Sequence, residues 1–152
     1  MKTYLWKINK EKLNKTNLAL YSNFVHKNYK INSGNDFSKI WKWSVDNPKF
    51  FWKSIWDFTK VKGNIGNILL QESDIFSKNK FFPDAKLSYA ENLLKKNSIE
   101  PAIIFKSENG YKKDISWNHL NSNVAKISNW LESNGVQKGD RVAAYMPNIP
   151  ET

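Results

Sequence analysis

Pro101-Ala102-Ile103-Ile104-Phe105-Lys106, then Asn109-Gly110, then Tyr111-Lys112-Lys113-Asp114-Ile115 is the stretch whose reading decides the fold. An apolar run rich in strand formers, the Asn-Gly pair that favours a two-residue hairpin turn, and an alternating return strand together predict a β-hairpin. Ser116 is placed to cap a long helix whose Leu120, Val124, Ile127 and Leu131 form one stripe, and Gly135 to end it in the left-handed conformation. Lys138-Gly139-Asp140 then turns the chain into a second apolar strand, Arg141-Val142-Ala143-Ala144-Tyr145-Met146. Strand, helix and strand in that order predict a βαβ crossover and the start of a parallel sheet. The change of period at about Glu100 divides the chain into residues 1–100 and 101–152.

Upstream the pattern is helical. Thr16 or Asn17 can cap a segment running to about Tyr29, with Leu18, Tyr21 and Val25 on one stripe. Asn32-Ser33-Gly34-Asn35 reads as a turn, and Asp36 as the cap of a helix that buries Phe37, Ile40, Trp41 and Val45. Asn47-Pro48 supplies a further start, with Asn as cap and proline at the first helical position. The helix after it carries Phe51, Trp52, Ile55, Trp56 and Phe58, an apolar face wide enough to require a large docking partner. Between Val61 and Ser77, Gly63 and Gly66 break any helix and predict a loop with a short extended segment. Phe81-Phe82-Pro83-Asp84-Ala85-Lys86-Leu87 is an extended approach to another helix, with Ser88 and Glu91 spaced as a capping box.

Composition removes several function classes. The 152 residues contain no cysteine, which excludes disulfides, thiolate metal sites and a cysteine nucleophile, and points to a reducing cytoplasm. The opening from Met1 to Lys10 lacks the apolar run of a secretory signal, and no window approaches the ~18 apolar residues of a membrane span, so neither export nor a membrane partner is expected. The net charge of +10 raises the question of nucleic acid. Lysines are scattered from Lys2 to Lys138, however, and Arg141 is the single arginine, a pattern that reads as a solvated basic surface rather than a phosphate reader. His26 and His119 each stand alone on a predicted helix and are read as surface or packing residues, not general bases.

Ile115-Ser116-Trp117-Asn118-His119-Leu120 resembles the first core motif of the adenylate-forming superfamily: a hydrophobic residue, Ser or Thr, an aromatic, any residue, Glu, Leu. His119 stands where that family usually has Glu. Gly135-Val136-Gln137-Lys138-Gly139-Asp140-Arg141-Val142 and Met146-Pro147-Asn148 resemble the family's next segments after the motif. Upstream, Trp43-Ser44, Phe51-Trp52 and Trp56 resemble the N-terminal extension of the acetyl-CoA-synthetase-like branch. Within that branch, the stretch from Phe81 to Leu94 is most similar to acetoacetyl-CoA synthetases, with Ser88 where Asn is usual.

The resemblance implies an α/β fold: a helical N-terminal cap (1–100), then a β-hairpin and the first, incomplete βαβ unit of the large AMP-binding (adenylation) domain (101–152). It further implies a ligase that joins acetoacetate to CoA at the expense of ATP, with Mg²⁺, through an acyl-adenylate. No catalytic, cofactor-binding or metal residue is expected in this chain. Gly63 and Gly66 lack the spacing of a phosphate loop. With Asn148 and Pro150 placed to start a further helix, the chain reads as an N-terminal fragment whose partner is the rest of its own polypeptide. The alternatives are a fragment of an acetyl- or propionyl-CoA synthetase, or a non-catalytic helical module that binds a partner protein.

Overall fold

The computed structural model describes residues 8–34 and 36–152, so Asn35 of the expected turn and the first seven residues lie outside the described residues. The chain forms two compact units divided between Ser88 and Tyr89. No helix among the described residues is long and apolar enough to cross a membrane.

The first unit opens with the short helix α1 (Lys10–Asn14), followed by α2 (Asn17–Tyr29), α3 (Phe37–Asp46) and α4 (Pro48–Phe58). The caps follow the sequence closely. Thr16 Oγ1 accepts from Ala19 N at 3.2 Å, and Asp36 Oδ1 accepts from Ser38 N at 2.9 Å. Pro48 occupies the start of α4, but the Asn47 side chain makes no capping bond; its Nδ2 instead donates back to Trp43 O at 3.5 Å.

Packing departs from the expected stripes in a consistent way. Tyr21, Val25, Ile40 and Trp43 form the buried core, with Phe51, Ile55 and Phe58 of α4 packed against it. Leu18 is exposed, and so are Phe37, Trp41 and Val45, at 62, 58 and 59 %. Hydrophobic spacing identified that α3 has an apolar face; it could not identify which apolar face α2 and α4 would cover. The Trp43 ring, 5.6 Å from Tyr29 and 6.0 Å from Phe51, settles the rotation of α3.

Helix α4 is used on two sides. Phe51, Ile55 and Phe58 face the core, whereas Trp52 packs tilted against Phe81 at 5.9 Å and Trp56 edge-on against Phe82 at 5.5 Å. These aromatics belong to an irregular hairpin in which β1 (Leu70–Gln71) pairs antiparallel with β2 (Lys80–Phe81). Nearer its open end, Asn64 and Lys86 exchange two backbone bonds of 2.8 Å. The expected loop at 61–77 therefore supplies one arm of this hairpin, over residues 64–71, and most of the connection to the other. Glycine is needed there for approach: a Cβ on Gly63 would lie 2.6 Å from Leu87 Cβ and 2.8 Å from Lys86 O. Phe82, expected in extended chain, has φ +49 and its carbonyl accepts from Ala85 N at 2.9 Å, so the approach to the next helix is a turn.

The second unit contains α5 (Tyr89–Leu93), β3 (Pro101–Lys106), β4 (Lys112–Ser116) and α6 (Trp117–Ser133). The β3–β4 hairpin forms with Ile103 opposite Ile115 and Phe105 opposite Lys113. Its turn is wider than expected. A two-residue type I′ turn needs positive φ at both central positions, but only Gly110 of the pair has it, at +85. Asn109 Oδ1 instead accepts from Tyr111 N at 3.1 Å, and Ser107 N donates to Tyr111 O at 2.9 Å, giving a loop over residues 107–111. Helix α6 ends as expected at Gly135, φ +83: Gly135 N donates to Glu132 O and Val136 N to Leu131 O, the two bonds of a Schellman motif. Its expected stripe is only half used, because Val124 and Ile127 are exposed.

The α/β class stands, but the βαβ crossover does not close among these residues. The strand expected at 141–146 has no ladder: both sheets are two-stranded and antiparallel, and 141–146 carries no regular structure. A strand exists only with a neighbour to take its N–H and C=O groups. No described residue covers Tyr145, which is fully exposed, or takes a strand position beside it.

At the centre of the first unit, Tyr21 Oη and Ser54 Oγ lie 2.6 Å apart, and the fully buried Ser54 also donates to Phe51 O at 2.7 Å. Ser54→Ala leaves the buried phenol without a partner and should cost about 1–3 kcal/mol in denaturant unfolding. Burial pushes the Tyr21 hydroxyl above its ordinary pKa, against the opposing pull of Ser54; burial and then Asp57 raise Tyr29 likewise. Stability from a raised pKa is complete below the unfolded value, about 10 for tyrosine, and is lost as pH climbs through the folded one. Melting of the first unit should therefore fall above about pH 10, and Tyr21→Phe should flatten that fall.

Candidate functional site

The residues with the most specific sequence pattern, 115–120, lie at the junction of β4 and α6. Ile115 lies one residue before the end of the strand and is buried at 6 % exposure. Ser116 leaves the strand with φ −72 and ψ 160, and its Oγ accepts from His119 N at 3.2 Å, which caps the helix. Leu120 is half-buried one turn on. The motif's hydrophobic and hydroxyl positions thus have structural roles: one plugs the strand end, the other starts the helix.

The junction is closed by its own chain. Trp117 N donates to Glu100 O at 3.1 Å and Asn118 N to Ser98 O at 3.0 Å. Asn121 Nδ2 donates to Lys96 O at 2.8 Å. Glu100 pairs with Lys96, and that hydrogen bond holds its carboxyl below the usual carboxylate range. An open cleft of ≈ 360 Å³ lies beside it, lined by residues that include Ile99, Pro101, Asp114, Ser116 and His119. His119 is exposed at its rim, and His26 is exposed in the last turn of α2. The structure gathers neither histidine into a catalytic cluster.

Among the described residues no group of three or more His, Asp or Glu side chains could hold a metal ion. Gly63 and Gly66, the nearest approach to a glycine-rich loop, have their backbones pressed against 84–87.

Comparison with known sequences shows what the chain is similar to. Residues 91–152 match the family "AMP-binding enzyme". More particularly, the chain is similar to acetoacetyl-CoA synthetases over nearly its whole length. The acetoacetyl-coenzyme A synthetase of Rhizobium meliloti (strain 1021) is 38% identical over 117 residues, covering 77% of this chain and 18% of the relative. The solved acetoacetyl-CoA synthetase from Streptomyces lividans superposes with a TM-score of 0.79 at 25% identity, over 99% of this chain and 24% of that one. An acetyl-coenzyme A synthetase of Pseudoalteromonas atlantica (strain T6c / ATCC BAA-1087) is 35% identical over 125 residues, 76% of this chain and 19% of the relative. The chain spans about a fifth of the length of the curated relatives it matches.

The structural roles of the motif residues are testable. Ser116→Ala should lower stability by about 1 kcal/mol through loss of the cap. His119→Gln keeps the exposed position polar and should change stability by less than about 0.5 kcal/mol. Both are measurable by urea unfolding followed at the tryptophans.

Proposed function

We propose that this chain is the N-terminal part of an acid–thiol ligase that converts acetoacetate, ATP and CoA to acetoacetyl-CoA, AMP and pyrophosphate through an acyl-adenylate. The observation that carries this reading is the likeness to acetoacetyl-CoA synthetases across both units, since the match to the Streptomyces lividans protein extends over 99% of the chain. Residues 1–100 serve as the helical N-terminal region, and 101–152 as the beginning of the AMP-binding (adenylation) domain.

In such a reaction a carboxylate oxygen attacks the α-phosphorus of ATP and pyrophosphate departs. The CoA thiolate then attacks the acyl carbon and AMP leaves. Negative charge grows on the departing pyrophosphate, so donors and a cation such as Mg²⁺ must be aimed at it. We assign none of those roles to residues 1–152, and the isolated 152-residue chain is expected to be inactive. The reading places the enzyme in the cytoplasm, with small-molecule substrates and neither nucleic acid nor membrane as partner.

A second reading, an acetyl-CoA synthetase, is favoured by the 35% identity to the Pseudoalteromonas atlantica enzyme over a similar share of the chain. ATP–pyrophosphate exchange on the complete polypeptide carrying these residues separates the two. Exchange dependent on acetoacetate and weak with acetate is expected. Faster exchange with acetate would move the protein to the second reading, and exchange with neither acid would remove it from the ligases of both.

A further inference from the structure

The first turn of a helix that follows a strand is a ready anion site, because its N–H groups lack helical partners and point outward. At α6 those groups are already taken. Trp117 N and Asn118 N donate to the carbonyls of Glu100 and Ser98, and His119 N donates to Ser116 Oγ. The two carbonyls come from a short segment fixed at both ends. Asn121 Nδ2 ties it to the second turn of α6 through Lys96 O, while Glu100 N donates to Ser98 Oγ at 3.3 Å and the Lys96 ammonium pairs with the Glu100 carboxylate.

Asn121 itself is informative. Its Oδ1 is buried and makes no hydrogen bond among the described residues. Leaving a buried acceptor unpaired is costly. The polar contact this side chain makes is the donor bond to Lys96 O, so that bond is the chemistry an apolar residue of similar size would not supply.

We infer that residues 96–100 form a strap that closes the N-terminus of α6 to anions, with Asn121 as the positioning residue that holds the strap on the helix. The segment satisfies by backbone contact the same N–H groups that a nucleotide phosphate would otherwise use. Phosphates handled by the enzyme are then met by other parts of the polypeptide. That corollary rests on the proposed ligase function; the strap itself does not.

Residue-resolved amide hydrogen exchange on the complete polypeptide tests the strap without reference to activity. Asn121→Leu removes the donor and the orphaned acceptor together at similar volume. Exchange at Trp117 and Asn118 should then rise roughly tenfold, as for the loss of about one net hydrogen bond. His119, bonded to Ser116, should not change, and Asn121→Gln should restore much of the protection. Inorganic pyrophosphate added to the unsubstituted protein should leave Trp117 and Asn118 exchange unaltered. Unchanged protection in Asn121→Leu would overturn the role of Asn121. Saturable slowing of Trp117 and Asn118 by pyrophosphate in the unsubstituted protein would overturn the closure, and this arm decides the matter even where Asn121→Leu fails to fold. Because neither readout is turnover, a failed strap and a failed ligase assignment give different results.

Discussion

A helix cannot begin in a folded chain until its first N–H groups find partners, and the way α6 meets that requirement organises the second unit. Ser116 supplies one partner from the end of β4, and Ser98 and Glu100 supply two more from the chain that leads into β3. The consequence is mechanical. The lead-in to β3, the end of β4 and the start of α6 are fixed by one set of bonds, and Ile115, the residue before the cap, is buried. The consequence is also chemical, since a junction whose donors are spent on its own backbone has none free for a phosphate. Residues 96–121 of this chain therefore serve as framework.

The first unit solves a different problem with the same economy of parts. Helix α4 has apolar residues around too much of its circumference to be covered by one neighbour. It places Phe51, Ile55 and Phe58 on the α2–α3 core, and Trp52 and Trp56 on the aromatic pair Phe81–Phe82. The Tyr21–Ser54 hydroxyl pair pins α2 against α4 at a point where no water reaches, since Ser54 has no exposed surface and Tyr21 very little. A phenol and a serine that satisfy each other fix the rotation of the two helices more narrowly than apolar contact does, because a hydrogen bond has an angle as well as a distance.

Features governed by neighbours in sequence were legible before any coordinates. The caps at Thr16, Asp36 and Ser116, the proline start of α4, the hairpin of β3 and β4 and the glycine stop at Gly135 depend on residues within a few positions of one another. Features governed by distant neighbours were not. Phe37, Trp41 and Val45 have the spacing of a buried stripe, yet Trp43 is the residue that turns inward, because Tyr29 and Phe51 arrive beside it from other helices. The strand read at 141–146 has the right residues but no partner beside it, and strand formation is a property of the pair. The strap was missed for the same reason: backbone carbonyls carry no sequence signal, and nothing in the sequence marks Asn121 as the side chain that reaches Lys96 O. The family, in contrast, was readable from the order and spacing of 115–120 and 135–148, which the match over 91–152 bears out.

At the centre of the proposed function is activation of acetoacetate as an adenylate by the complete polypeptide. Isotope transfer tests this most directly. With acetoacetate labelled by ¹⁸O in both carboxylate oxygens, attack on the α-phosphorus leaves one labelled oxygen in AMP after the thiol has taken the acyl group, readable as an isotope shift in the ³¹P spectrum. Label in AMP and none in inorganic phosphate or pyrophosphate is the expected result; label in inorganic phosphate, the mark of an acyl-phosphate route, would contradict it.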